Sequence, residues 1–342
     1  MKAAIDWKAF PKIELHEHLD GSLRIDTILE LAKKDGVRLP TAERKELEFL
    51  LSPLESDLVT YLKAFAVTTA VMQNAEALKR VAFEMVEDWY ADGVVYGEVR
   101  FAPELHTQKG LSRSAAVEAV LDGLSEGRRR YPVETGLILC TMRHLEPSLE
   151  TAVLVNQYRN DGVLAFDIAG AEEGFPPSLH RAAYEYCAKH SLSTTCHAGE
   201  VTGPDYIREA LEACGSLRIG HGTQLIQEWG ASRVPPGTGS LTGLVRDRQI
   251  PLELCLSSNV QTRACRSLAE HPFPEFLKAG LAVTLNTDNR LMSATSLSRE
   301  LQLAQETWNL PAESLRRVEQ NALAAAFCST DVKSRIRAKH FS

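Results

Sequence analysis

The chain has 342 residues, of which 44% are hydrophobic and 24% charged, and its formal net charge is −7. This composition is typical of a globular protein, and the length fits one α/β barrel or two ordinary domains. The negative charge argues against a nucleic-acid-binding protein, which needs a basic face to neutralise phosphates. No stretch of about 18 apolar residues is present, so we expect no membrane partner.

The cysteines and the first residues indicate the compartment. The seven cysteines are odd in number and form no Cys-x-x-Cys pair, which favours reduced thiols over a disulfide framework. Residues 1–10 lack the apolar run of a signal peptide. We therefore expect a cytoplasmic protein.

Short apolar runs alternate with longer amphipathic stretches along the chain. Eight runs are predicted strands, at residues 13–18, 94–101, 136–142, 163–169, 193–197, 217–221, 251–256 and 281–286. Helices are predicted between them, at residues 25–34, 75–91, 114–129, 179–190 and 207–213. This alternation predicts parallel βαβ units and favours a single (β/α)8 TIM barrel domain over residues 1–342. Periodicity alone does not exclude a doubly wound open sheet.

The segment after the first strand is longer than a tight connection and is predicted to hold extra helices. Leu58, Tyr61, Leu62 and Phe65 are spaced i, i+3, i+4 and i+7, which places them on one face of a helix. Spacing alone favours core packing for this face, and the second interpretation is an apolar lid over a pocket.

Polar residues follow several predicted strands, at the end where barrel enzymes place their chemistry. His16 and His18 end the first strand, and as i and i+2 neighbours they point to the same side. His197, His221 and Asp288 end or follow the fifth, sixth and eighth strands. A single histidine there is usually structural, but histidines and a carboxylate converging on one rim suit zinc or a similar divalent metal. Such a metal lowers the pKa of bound water and creates a hydroxide nucleophile.

Several motifs together resemble the adenosine deaminase family, in the same order and at similar spacing. The resemblance covers residues 11 to about 321, nearly the whole chain. The motifs are PKIELHEHLDG at residues 11–21, VVYGEVRFAPE at 94–104, DIAG at 167–170, HAGE at 197–200, IGHG at 219–222 and NTD at 286–288.

The resemblance implies a zinc-dependent hydrolytic deamination of adenosine and 2′-deoxyadenosine in purine salvage. One Zn²⁺ per chain would be bound by His16, His18, His197 and Asp288. Glu200 would protonate purine N1, and Asp288 would act near the attacking water. His221 would stabilise the developing oxyanion.

The resemblance also implies the substrate contacts. The purine nucleoside would be bound by His18, by Asp20 at the ribose 5′-hydroxyl, by the Gly170 backbone N–H and by a residue at N7. It supports the lid interpretation, so that Leu58, Tyr61, Leu62 and Phe65 would also contact the substrate. At position 289, where members of the family commonly have Asp, this chain has Asn289, whose amide can donate to an unprotonated N7. The substrate range is therefore left open.

Other interpretations remain. A lactonase or phosphotriesterase-like hydrolase often has a bridging lysine at the fourth strand, where this chain has Asp167 to Gly170 and no lysine, which favours one metal. Adenine, a modified nucleoside or aminodeoxyfutalosine are alternative substrates. A non-catalytic relative would be expected to lack Glu200 or a ligand, and none is missing. We expect a monomer or a weak homo-oligomer.

Overall fold

The computed structural model describes residues 5–52, 58–145, 148–231 and 234–341. Eight parallel strands follow one another in chain order around a sheet, and a bridge between Glu17 and Asp288 links the first strand to the segment after the last. The predicted (β/α)8 barrel is therefore confirmed. The strands are β1 Lys12–His18, β2 Val94–Phe101, β3 Glu134–Met142, β4 Val163–Ala169, β5 Ser193–Ala198, β6 Arg218–His221, β7 Leu252–Leu254 and β8 Val283–Leu285.

Helices connect and cover the strands. Those between the first four strands are α1 Ile25–Asp35, α2 Arg44–Leu51, α3 Leu58–Lys63, α4 Phe65–Val71, α5 Ala75–Asp92, α6 Arg113–Arg130 and α7 Ser148–Tyr158. The later helices are α8 Arg181–Lys189, α9 Pro204–Glu212, α10 Leu241–Asp247, α11 Leu256–Gln261, α12 Phe273–Lys278, α13 Leu297–Trp308, α14 Ala312–Ala325 and α15 Thr330–His340. None of the helices in the described ranges is long and apolar enough to cross a membrane.

Local sequence explains where the long helix α5 begins and ends. The Asn74 side chain accepts a hydrogen bond from the Ala77 N–H at 2.9 Å, which satisfies one of the free amides of the first turn. At the other end Gly93 adopts φ of 80°, a left-handed conformation that ends the helix and starts the turn into β2. The helix therefore covers the outside of the barrel without extending past it.

The described part of the region between β1 and α5 contains α1 to α4, so extra helices follow the first strand as predicted, although only two were expected there. The single helix expected around Leu58 to Phe65 is divided at Ala64, whose N–H bonds to the Tyr61 carbonyl at 3.2 Å. This bond spans three residues, so the chain tightens there and α4 starts as a new helix.

The last two strands are shorter than predicted. At Cys255 the backbone turns directly into α11, so the apolar residue Leu256 lies in a helix and not in β7. The ladder of β8 likewise contains three residues and ends before Asn286. In both cases the carboxyl end of the strand leads at once into residues that surround the site.

Candidate active site

Three histidines and an aspartate converge at the carboxyl ends of β1 and β5 and behind β8. His18 Nε2 lies 3.2 Å from His197 Nε2 and 3.4 Å from Asp288 Oδ1. His16 Nε2 lies 3.4 Å from the same oxygen of Asp288. His221 is also close, because the donor atoms of His16, His197, His221 and Asp288 lie within 4.8 Å of one another. The barrel therefore brings together the four residues predicted as metal ligands, with His221 beside them.

Two of these histidines are held from behind by carboxylates. His16 Nδ1 lies 2.8 Å from Glu253 Oε2, and His197 Nδ1 lies 3.0 Å from Asp167 Oδ2. Burial alone would raise the pKa of the Asp167 carboxyl, but its neighbours His197 and Arg100 outweigh burial and hold that pKa well below the usual range. An ionised carboxylate accepts a hydrogen bond, so each Nδ1 carries the proton. The lone pair on each Nε2 is therefore free to face the cluster.

A buried network of charges below the cluster supports these carboxylates. Arg100 donates to Asp167 at 2.7 Å and to Glu253 at 2.8 Å, and Arg218 donates to the other oxygen of Glu253 at 2.6 Å. All four side chains are at most 1% exposed. Removing one member would leave an unpaired buried charge, so the network fixes the carboxylates in place.

The cluster fits a zinc ion on the chemistry of its own atoms. His16 Nε2 is buried and has no hydrogen-bond partner among the described residues. Two imidazole nitrogens facing each other at 3.2 Å, as in His18 and His197, repel unless a proton or a cation lies between them. Nitrogen and carboxylate oxygen are the donors that zinc takes in catalytic sites, where one position is left for water.

Asp288 and His221 reach the cluster through unusual backbone conformations. Their φ angles are 58° and 62°, in the left-handed region that residues with a side chain seldom adopt. Asp288 is held there by β1, since its N–H donates to the His16 carbonyl at 2.8 Å and its own carbonyl accepts from the His18 N–H at 2.8 Å. Such strain is typical of functional positions.

Glu200 lies beside the cluster and is almost fully buried. Its Oε1 accepts a hydrogen bond from the Thr262 hydroxyl at 3.0 Å, and its Oε2 lies 3.7 Å from His221 Nε2. Burial, helped by the negative charge of Asp288, raises the pKa of Glu200 to about 7. This carboxyl can therefore hold a proton at neutral pH and release it to a bound base.

A cavity of about 350 Å³ opens above the cluster. The four residues of the predicted lid form an apolar wall on one side, and Tyr61 is fixed by a 2.9 Å hydrogen bond between its hydroxyl and that of Ser293. His16 lies below the floor of the cavity and is fully buried. The predicted site residues that line it are His18, Asp20, Leu58, Tyr61, Leu62, Phe65, Gly170, His197, Glu200, His221, Asp288 and Asn289.

Two glycines permit close approaches in this cavity. Gly170 has φ of 102°, and a Cβ on it would lie 2.8 Å from the Met142 methyl group, so a side chain there is excluded. A Cβ on Gly21 would lie 1.8 Å from Asn289 Oδ1. The Asn289 amide can therefore occupy its position only because residue 21 has no side chain.

Several residues that support the site were missed by the sequence reasoning. Glu253 and Asp167 orient His16 and His197, Thr262 donates to Glu200, and the Ser258 hydroxyl donates to Asp288 Oδ2 at 2.5 Å. The available signal is a single charged residue inside an apolar strand, as Glu253 is in β7 and Asp167 is in β4. A charge there needs a buried partner, but the sequence does not say which one.

Comparison with known proteins identifies the family. The family model described as adenosine deaminase matches residues 11–340. The chain belongs to the adenosine deaminase family. An adenosine deaminase from Mycobacterium marinum is 44% identical over 337 residues, which cover 95% of this chain and 92% of that protein. The resemblance predicted from the motifs is thereby confirmed.

Solved structures share the fold over nearly the whole chain. The adenine deaminase from Arthrobacter aurescens is 26% identical with a TM-score of 0.87, covering 97% of this chain and 98% of that one. The N6-mAMP deaminase from Arabidopsis is 29% identical with a TM-score of 0.85, covering 98% and 99%. The barrel of this chain is therefore similar to those of proteins named as an adenine deaminase and an N6-mAMP deaminase.

Proposed function

We propose that the protein hydrolyses adenosine and 2′-deoxyadenosine to inosine and 2′-deoxyinosine plus ammonia, as a cytoplasmic enzyme of purine salvage. The observation that carries this proposal is a buried proton donor, Glu200, beside a cluster of metal-ligand type at the floor of a cavity of about 350 Å³. Family membership and the adenosine deaminase from Mycobacterium marinum support the same reaction.

His16, His18, His197 and Asp288 would hold one zinc ion per chain. Zinc bound there supplies, at neutral pH, a nucleophile derived from water. The chain's own contribution is to fix the ligands. Glu253 and Asp167 hold two imidazole rings by their Nδ1 atoms, and Ser258 holds the Asp288 carboxylate through its Oδ2.

Glu200 would transfer its proton to purine N1 as the nucleophile attacks C6. Attack on an aromatic ring is easier when the neighbouring ring nitrogen is protonated, because that nitrogen then accepts the electron pair displaced from its bond to C6. The raised pKa of Glu200, about 7, supports this role, since an ordinary glutamate has lost its proton at neutral pH. His221 would stabilise the negative charge that develops on the oxygen added at C6.

The far end of the cavity supports a nucleoside over the competing free base and nucleotide. Asp20 is 4% exposed, lines the cavity and would accept a hydrogen bond from the ribose 5′-hydroxyl. Burial raises the pKa of Asp20 to about 7, so this carboxyl is partly ionised at neutral pH. It offers nothing to free adenine, and its ionised form repels a 5′-phosphate. The Gly170 N–H and the Asn289 amide would contact the purine ring, and the lid residues would cover it.

An assay of ammonia release from adenosine, 2′-deoxyadenosine, adenine and AMP tests the proposal. Purified protein with measured zinc content is assayed with and without a chelator. We expect turnover of the two nucleosides only, lost with chelator and restored by added zinc. A clear preference for adenine or AMP would refute the role of Asp20, and chelator-resistant turnover would refute the metal.

A further inference from the structure

A line of hydrogen bonds runs behind His221, away from the cavity. The Phe273 backbone N–H donates to His271 Nδ1 at 3.1 Å. His271 Nε2 lies 3.2 Å from Asn259 Oδ1, and Asn259 Nδ2 lies 3.1 Å from His221 Nδ1. The three side chains are at most 1% exposed, so water does not replace any of these contacts.

The direction of every bond in this line follows from its first donor. A backbone N–H only donates, so His271 Nδ1 has no proton and the ring carries its proton on Nε2. That proton is donated to Asn259 Oδ1. The Cys255 N–H at 3.2 Å and the Thr223 hydroxyl at 3.3 Å donate to the same oxygen. The amide of Asn259 therefore has one orientation, with its nitrogen toward His221.

The orientation of Asn259 fixes the tautomer of His221. Because Asn259 Nδ2 donates to His221 Nδ1, that nitrogen carries no proton, and the proton of the ring is on Nε2. This arrangement is the reverse of His16 and His197, whose Nδ1 atoms face carboxylates. His221 Nε2 lies near the metal-ligand cluster, but it presents an N–H and not a lone pair.

We propose that Asn259 and His271 are positioning residues that hold His221 as a neutral hydrogen-bond donor facing the cavity. His221 is then neither a metal ligand nor a base. Its Nε2–H is aimed at the oxygen added to C6, a role that rests on the proposed deamination. The tautomer itself rests only on the hydrogen bonds behind the ring.

The tautomer can be observed directly by NMR on zinc-loaded protein labelled with ¹⁵N-histidine. The chain has ten histidines, so the His221 signals are assigned as those missing in His221→Gln. We expect a protonated, pyrrole-type Nε2 and an unprotonated, pyridine-type Nδ1. A protonated Nδ1, or an Nε2 shifted by bound metal, would overturn the proposal. This result does not depend on any substrate, so it stands apart from failure of the deamination assay.

Two variants test the line of bonds. Asn259→Asp places a carboxylate opposite Nδ1, which draws the proton there, and we expect the His221 signals to change and kcat for adenosine to fall about a hundredfold or more with KM little changed. Thr223→Val is the matched control, because it removes a different donor to the same Asn259 oxygen and leaves the direction unchanged. It should keep both the signals and kcat. Unchanged signals and kcat in Asn259→Asp would refute the inference; if that variant does not fold, the unmodified protein's spectrum decides.

Discussion

Glu200 offers the most direct test at the scale of single residues. Glu200→Gln keeps the shape of the side chain but cannot give a proton to N1. We expect kcat for adenosine to fall about 10²- to 10⁴-fold, the usual contribution of a general acid, with zinc content unchanged. Glu173→Gln, the same change at an exposed residue, should have no effect. A Glu200→Gln enzyme with ordinary turnover would show that the proton comes from elsewhere.

Thr262 tunes the proton donor from one side. Its hydroxyl donates to Glu200 Oε1 and so stabilises the ionised carboxylate. This hydrogen bond lowers the pKa of Glu200 and burial raises it, and the net value is about 7. In Thr262→Val that pKa rises further, so the fall of kcat/KM with rising pH should move to a higher pH while kcat decreases. The measurement is the pH profile with adenosine, and Thr262→Ser should restore it. A profile that moves to lower pH would contradict this assignment.

Asn289 should determine how strongly the enzyme recognises purine N7. Its side-chain oxygen has no hydrogen-bond partner among the described residues, and its amide lines the cavity. 7-Deazaadenosine has no acceptor at this position and loses the hydrogen bond that the Asn289 amide would donate to N7, so we expect kcat/KM about tenfold or more below that for adenosine. In Asn289→Ala the two nucleosides should be turned over with similar kcat/KM. A preference that survives this substitution would place the N7 contact on another residue.

At the scale of elements, α14 is joined to β1 by a buried carboxyl. The Ile13 N–H donates to Glu319 Oε2 at 2.6 Å, and the side chain is fully buried. Burial raises the pKa of Glu319 from an ordinary value of about 4.5 to about 8, although the nearby charge of Lys12 acts in the opposite direction. At pH values between about 4.5 and 8, Glu319 is therefore protonated in the folded protein and ionised in the unfolded chain.

This difference predicts how stability depends on pH. The free energy of unfolding should decrease as pH rises from about 5 to 8, because folding then requires uptake of a proton. Between pH 6 and 8 the free energy of unfolding of the unmodified protein should fall by about 2 kcal/mol more than that of Glu319→Gln, in which residue 319 does not titrate. Urea unfolding at both pH values measures this. Glu313→Gln, an exposed change on the same helix, should behave like the unmodified protein; equal losses in all three would contradict the raised pKa.

The elements differ in how well the sequence predicted them, for physical reasons. The bounds of β2 and β4 were predicted as they are observed. Each is a largely apolar run bounded by turn residues, and in a parallel barrel such a run is buried as a strand. The β7 prediction was too long because Leu256 is as apolar as a strand residue and becomes helical only through the turn at Cys255. The predicted strand overlapped only the first residue of α11, and the helix itself, which carries Ser258 and Asn259, was not predicted.

For the whole molecule, the sequence predicted which residues come together at the site but not which residues hold them in place. The topology of a parallel barrel brings the carboxyl ends of its strands to one rim whatever the details of packing. The residues that lie at or just after these ends are His16, His18, His197, His221 and Asp288. The partners behind them come from distant positions: His16 and Glu253 are 237 residues apart. No local pattern marks such a pair, since a buried carboxylate and its histidine are matched only after the barrel closes.

Because the cluster joins β1, β5 and the segment after β8, which are far apart in the sequence, metal should stabilise the whole fold. Without a cation, His16 Nε2 has no hydrogen-bond partner in the described part of the chain, and the facing nitrogens of His18 and His197 are 3.2 Å apart. An ion that binds the folded but not the unfolded chain stabilises it by about 4 kcal/mol at a thousand times its dissociation constant. Chelation should therefore lower the unfolding temperature by about 5–10 °C, measured by calorimetry before and after zinc is restored. His18→Gln should unfold at a temperature largely insensitive to chelator. His190→Gln, at a histidine that precedes the amino end of β5 and packs on Tyr186, should respond like the unmodified protein. A chelator effect of the same size in His18→Gln would mean that the stabilising ion is bound without His18.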